Sequence, residues 1–157
     1  MTLIRTGQLK DITAVYELIK ELADYENAID EVETTPESME KDAFFDNSLF
    51  RFIVAEQNSK IVGTAIYFFT YSTWKGKVLY LEDIVVSQSH RRGGIGKLLF
   101  DFLVKTAKEE HVKRMSWQVL NWNEPAINFY KKISTTFDDT WINCKLTQSQ
   151  IDLYSCE

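Results

Sequence analysis

Two adjacent carboxylates, Glu82 and Asp83, interrupt an apolar run, Leu79-Tyr-Leu-Glu-Asp-Ile-Val-Val86, which leads into His90-Arg-Arg-Gly-Gly-Ile-Gly-Lys97. A strand followed by a basic, glycine-rich turn suits an anionic ligand. Glycines let the backbone approach the ligand closely. The helix that follows, marked by Leu98, Leu99, Phe102 and Leu103, starts with N–H groups that have no helical acceptor. Its dipole, together with Arg91 and Arg92, favours negative charge. A P-loop is excluded, because Gly96-Lys97 is followed by Leu98 instead of a magnesium-binding hydroxyl. A Rossmann turn is excluded as well, because its third glycine would fall on Leu99. What remains is Arg91-x-x-Gly94-x-Gly96, read as a phosphate-binding turn. A glycine-rich turn with no ligand is the competing reading.

A second cluster lies downstream: Trp122-Asn-Glu-Pro-Ala-Ile-Asn-Phe-Tyr-Lys131. The two clusters resemble, in order and spacing, the motifs of the GNAT acetyltransferase superfamily, Arg/Gln-x-x-Gly-x-Gly/Ala and Asn-x-x-Ala-x-x-Phe/Tyr-Tyr. Further stretches resemble the spermidine/spermine acetyltransferase family within it. These are Lys20-Glu-Leu-Ala-x-Tyr25-Glu26, Tyr67-Phe-Phe-Thr-Tyr71, Trp74-x-Gly76-Lys77, Leu79-Tyr-Leu-Glu-Asp83 and Trp122-Asn-Glu-Pro125. Ser72-Thr-Trp-Lys-Gly76 is closest to the thialysine branch. The polyamine branch has Asp-Pro-Trp there, and an acidic residue where this chain has Asn121. After Tyr130 the chain reads Ile133-Ser-Thr-Thr136 where the family usually has a glycine, and by this resemblance the loop toward Asp138 and Asp139 is about three residues shorter than the family's.

The resemblance implies direct acetyl transfer from acetyl-CoA to a primary amine, with no metal. Backbone groups of Ile84, Val85 and Val86 would hold the pantetheine arm and thioester carbonyl. Arg91, Arg92, Gly93, Gly94, Ile95, Gly96 and Lys97 would hold the pyrophosphate, and Asn123, Glu124, Pro125 and Ala126 would hold pantetheine. An amine of pKa about 10.4 must lose a proton. Glu82 is the candidate base, with Asp83 raising its pKa by repulsion or holding the ammonium. Neighbours on a flat strand point to opposite faces, so both can serve one cleft only across a bulge. Tyr130 is the candidate acid for the departing thiolate, against the reading that it is a core aromatic. Tyr25, Glu26, Trp74 and Trp122 are candidate amine contacts, with packing the alternative for the two tryptophans. The competing functions are acetylation of a protein lysine or N-terminus, and non-catalytic binding of an acyl-CoA.

The elements that must position these groups are legible in the pattern. Leu3–Arg5 reads as a short strand. Asp11 caps a helix with Ile12, Val15, Leu18, Ile19 and Leu22 on one face. Asp24 to Asp46 is acidic with a single base, Lys41. It is read either as a solvated face or as a funnel for a cationic amine. Within it Thr35-Pro36 opens a helix. Phe50–Glu56 and Ile61–Tyr71 form a hairpin about Asn58-Ser59. Val78–Val86, a helix from Gly94 to Glu110, and Arg114–Leu120 form a parallel crossover. A helix over Asn123–Lys132, a strand over Phe137–Leu146 and a short tail segment complete the chain. The expected fold is α/β (α+β), a mixed, mostly antiparallel twisted sheet with helices on both faces, as one GNAT domain over 1–157.

Composition sets the class. The chain has 157 residues and a net charge of −5, which argues against general nucleic-acid binding. It has no apolar run long enough for a membrane span and no secretory signal. Two cysteines without metal spacing read as reduced thiols. The expected setting is cytoplasmic. The expected partners are a small-molecule amine and, by the family's habit, a second copy in a homodimer.

Overall fold

The computed structural model describes residues 1–45 and 47–156. The chain divides into two compact units, Met1–Gln118 and Val119–Glu157.

The first unit is built on five strands in the order β1 (Leu3–Thr6), β2 (Arg51–Gln57), β3 (Lys60–Ser72), β4 (Gly76–Val86) and β5 (Arg114–Ser116). The first three pairings are antiparallel and β4–β5 is parallel, as the sequence pattern predicts. The β2–β3 turn, Asn58-Ser59, has φ of 48° and 60° at its two central residues, the left-handed conformations that a two-residue hairpin demands. Both sheet faces are covered. Phe52, Val54 and Ile66 pack with Ile12 and Val15 of α1 (Ile12–Tyr25) and Met39 of α2 (Pro36–Phe44). Gly63 faces α3 (Ile95–Glu109): a Cβ there would stand 3.3 Å from Leu99. Ala55, its partner in the ladder, and Ile53 share that second face.

Local chemistry explains the helix starts, with one correction. Thr35 and Ser38 cap α2 reciprocally, and Pro36 takes the first helical position. Asp11 does not cap α1 with its side chain. A 3-10 turn, Leu9–Asp11, precedes α1, and the buried Asp11 carboxylate accepts the Gln8 N–H at 2.8 Å. It also takes both terminal nitrogens of Arg5, at 2.6 and 3.0 Å. Arg5 in turn holds Glu56, so one guanidinium ties β1, the start of α1 and β2.

The fifth strand is shorter than its sequence pattern. It pairs with Val78–Tyr80 and stops at Ser116 instead of Leu120. Two residues further along, β4 carries a register shift that increases local twist, and the strands part there.

The second unit contains α4 (Glu124–Lys132) and α5 (Gln148–Leu153). Asn123 caps α4 by accepting the Ala126 N–H at 3.3 Å, and Thr147 with Gln150 caps α5. The strand expected over Phe137–Leu146 is not formed. Apolar residues in it remain exposed: Trp141 to 72%, Ile142 to 89% and Leu146 to 58%. Alternation alone does not make a strand, because the backbone also needs a ladder partner. No such partner pairs with this segment among the described residues.

Candidate functional site

The register of β3 against β4 decides where the paired carboxylates go. Tyr67 sits opposite Leu81, yet Ile66 sits opposite Asp83. Glu82 is therefore an extra residue, a β-bulge. On a regular strand Asp83 would share the face of Leu81. The bulge turns it instead to the face of its partner Ile66, the face that α1 covers. Tyr80, which stacks on Phe68 at 5.2 Å, lies on that same face. Glu82 itself is exposed.

Burial is the main reason that Asp83 is pushed up to about 6, with the charges of Glu82 and then Glu26 adding to it. Glu26 follows the last residue of α1 and is also raised, by burial. Asp83 and Glu26 thus form a half-buried pair of carboxylates at the end of α1, an arrangement whose charge a cation would offset. One member is basic enough to accept a proton near neutral pH.

The same strand supplies an unpaired edge. Ser87 N–H bonds Val62 O at 2.9 Å. In an antiparallel ladder this alternation commits Val85 to β3 and turns the N–H and C=O of Ile84 and Val86 to the opposite edge. That edge has no strand partner past Tyr80 among the described residues. The backbone groups of Ile84 and the N–H of Val86 are therefore left without a strand partner, while those of Val85 are committed to β3.

The turn then enters α3 through Arg92 at φ 65° and Gly94 at φ 79°. Both conformations are left-handed, and an arginine there costs about 1–2 kcal/mol. Leu98 N–H to Gly94 O, at 3.2 Å, is the first helical bond. The N–H groups of Ile95, Gly96 and Lys97 thus precede any helical acceptor. Arg92, Gly93, Gly94 and Lys97 are exposed, while Ile95 is buried and anchors the helix. Lys97 bonds both oxygens of Asp101, each at 2.7 Å.

Arg91 is engaged differently from its neighbours. Its Nε donates to Val86 O at 2.9 Å, Nη2 lies 3.4 Å from Glu21 Oε1, and the guanidinium stands 5.2 Å from the Tyr25 ring centre. Glu21 also accepts the Gln88 N–H at 2.6 Å. Glu21 lies in a stretch that carries the family resemblance, but its spacing to Gln88 and Arg91 crosses about 70 residues, so no local pattern announces the contact.

In the second unit Tyr130 is 5% exposed, packs edge-on against Phe129 and is pushed up to about 12 by burial. Asn123 is half-buried at the start of α4, with Glu124 and Pro125 exposed in its first turn and Ala126 half-buried. Trp122 is half exposed. Ser134, within the Ile133–Thr136 stretch where the resemblance leads to a glycine, adopts φ 60° just past α4. That is the conformation glycine takes without a Cβ penalty.

Trp74 is not brought to the carboxylates. It is 81% exposed at the tip of the β3–β4 hairpin, where Ser72 Oγ accepts its N–H. Seven residues of strand separate the tip from Asp83, a distance of about 20 Å. In the acidic stretch Asp24, Asp30, Glu31, Glu33 and Glu37 are exposed, so most of it is a solvated face, and Glu26 is the member directed at the site. Asp46 lies outside the described residues. Among the described residues no cluster of three or more His, Cys, Asp or Glu could hold a metal ion, and no helix is long and apolar enough to cross a membrane.

Known proteins supply the family independently of this geometry. The sequence model of the acetyltransferase (GNAT) family matches residues 13–134. The chain is 35% identical over 139 residues to a thialysine N-epsilon-acetyltransferase of Sus scrofa, covering 83% of this chain and 82% of that protein. It is 40% identical over 134 residues to the human spermidine/spermine N(1)-acetyltransferase-like protein 1, covering 81% of this chain but only 19% of that longer relative. Among solved structures, an integron cassette protein from the mobile metagenome of V. cholerae superposes with a TM-score of 0.79 at 21% identity, covering 96% of this chain and 95% of that one, a likeness of fold. The family model spans most of the chain and a thialysine acetyltransferase matches it over four fifths of both lengths, so the chain belongs to the GNAT acetyltransferase family.

Proposed function

We propose that this chain transfers the acetyl group of acetyl-CoA directly to a primary amine of a small molecule, with a thialysine- or lysine-like amino acid preferred to a polyamine. The observation that carries the reading is the bulge at Glu82, which places Asp83 with Glu26 beneath the end of α1. The pair holds the ammonium, and Asp83 takes the proton, in place of the exposed Glu82 named by the sequence pattern. A protein-lysine or N-terminal acetyltransferase is the alternative.

The pantetheine arm lies along the edge of Ile84 and Val86, where an N–H at the thioester oxygen stabilises its developing charge. The pyrophosphate takes Arg92 and the N–H groups of Ile95, Gly96 and Lys97. Asn123 and the first turn of α4 hold pantetheine, and Tyr130 protonates the thiolate. A phenol at about 12 lies roughly 5 kcal/mol uphill of a thiol at about 8.5. Transfer therefore needs close alignment with the thiolate, or a thiol whose own pKa burial has raised.

Ser72 and Asn121 support the amino-acid preference, because the acids they replace would hold a polyamine's further ammonium groups. The family match runs across the boundary between the two units, which supports one catalytic domain over 1–157. A cytoplasmic setting and a homodimer complete the proposal. The exposed apolar residues between Phe137 and Leu146 are a surface a second copy would cover.

The test is thiol release from acetyl-CoA with thialysine, lysine, spermidine, spermine and a lysine peptide. A clear preference for thialysine or lysine is expected. Preference for spermidine overturns the amino-acid assignment, and preference for the peptide overturns the small-molecule one.

A further inference from the structure

Arg91 has the position of a pyrophosphate ligand but not the contacts of one. Its guanidinium is spent on three groups of this chain: the Val86 carbonyl, Glu21 and the Tyr25 ring. Val86 is the last residue of β4 and the end of the edge offered to the coenzyme. Glu21 and Tyr25 lie four residues apart on one side of α1, and Glu26 follows directly. Glu21 accepts from both sides of the join, the Gln88 N–H at 2.6 Å and Arg91 Nη2 at 3.4 Å. The last turn of α1 is thus bolted to the segment between β4 and the phosphate turn.

We propose that Arg91 and Glu21 are positioning residues that lock the last turn of α1, and with it Tyr25 and Glu26, onto the coenzyme edge of β4, while the pyrophosphate is left to Arg92 and the start of α3. The inference rests on the assignment of Tyr25 and Glu26 to the amine site. Each part of the device has a separate physical task. The Val86 bond fixes the guanidinium against β4, the Glu21 carboxylate clamps it and the Gln88 N–H together, and the stack on Tyr25 sets the ring beside the carboxylates. The lock holds the amine contacts in place relative to the thioester, where small misplacement is costly in rate.

Three measurements on the intact chain test it, with Arg91→Ala, Arg91→Lys, Glu21→Ala and Glu21→Gln. The first is amide hydrogen exchange in the coenzyme-free protein. Exchange at Gln88 and over residues 21–27 is expected to quicken tenfold or more in Glu21→Ala. Glu21→Gln, which keeps an acceptor for both donors, should largely restore protection. The second is affinity for CoA by calorimetry, expected to stay within threefold of wild type in Arg91→Ala but to weaken about tenfold in Arg92→Ala. The third is steady-state kinetics, where Arg91→Ala should raise the amine KM about tenfold with little change in the KM for acetyl-CoA.

A tenfold loss of CoA affinity in Arg91→Ala makes Arg91 a phosphate ligand and overturns the proposal. So does unchanged exchange over 21–27 in Glu21→Ala. If wild type turns over no amine, the proposed function fails, and the exchange and CoA measurements still decide the lock. If Arg91→Ala does not fold, Arg91→Lys and the Glu21 pair carry the same tests.

Discussion

Asp83 carries opposite consequences for stability and for activity. Burial raises its folded-state pKa to about 6, above the ordinary carboxylate value of 3.8. The folded protein therefore binds more protons than the unfolded chain between those pH values, and stability falls as pH rises through that window. Asp83→Asn should raise unfolding stability by up to about 3 kcal/mol at pH 7–8 and by little at pH 4, as measured by urea denaturation at both. The same substitution should remove a rise in kcat/KM for the amine that wild type shows as pH climbs through about 6. Glu82→Gln should keep that rise. Should Glu82→Gln lose it and Asp83→Asn keep it, the base is Glu82. Tyr130→Phe should lower kcat by about 10²–10⁴ with CoA binding intact, because its hydroxyl is removed without loss of ring packing. Wild-type kcat in that variant removes the acid role.

At the scale of elements, β4 does most of the arranging. Its first residues pair on both sides, its later residues pair on one, and a bulge between them re-aims Asp83. The helix ends show the converse, where backbone geometry disagrees with residue type. Ser134 closes α4 at φ 60°, with its N–H on Lys131 O at 3.1 Å and the Thr135 N–H on Tyr130 O at 3.2 Å. A glycine reaches this conformation without crowding its Cβ. Ser134→Gly should therefore stabilise the protein by about 1 kcal/mol, seen as a higher urea midpoint with unchanged slope. A lower midpoint would mean that Ser134 contributes contacts outweighing its strain.

At the scale of the molecule, the Arg5–Asp11–Glu56 group joins β1 and the turn into α1 to β2, 51 residues from Arg5 at Glu56. Hydrogen bonds from Arg5 are the leading reason that Asp11 is held below the usual carboxylate pKa. Its contribution is present above about pH 4 and is lost as pH falls through its depressed folded value. Asp11→Ala leaves Arg5 with only Glu56 of these two carboxylates and the Gln8 N–H without its acceptor, and should cost about 3 kcal/mol at pH 7. The cost should shrink toward pH 2, where wild type has lost the same charge. An equal cost at both pH values would show that packing, not the ion pair, is what Asp11 supplies.

The sequence alone determined whatever depends on neighbours along the chain. The 3.6-residue stripe of α1, the Thr35-Pro36 start of α2, the Asn58-Ser59 hairpin and the Gly94-x-Gly96 entry to α3 follow from local rules of period, capping and turn conformation. Motif matches extended that reading to the family and named the candidate residues. Tertiary structure alone decided what depends on pairing across the chain. The bulge that reorients Asp83, the early end of β5 and the missing strand over Phe137–Leu146 are all settled by ladder partners. The grip of Glu21 on Arg91 spans 70 positions. A strand's own residues state which side chains alternate, but not which backbone will lie opposite. In this chain that opposite backbone sets the face on which the proposed base stands.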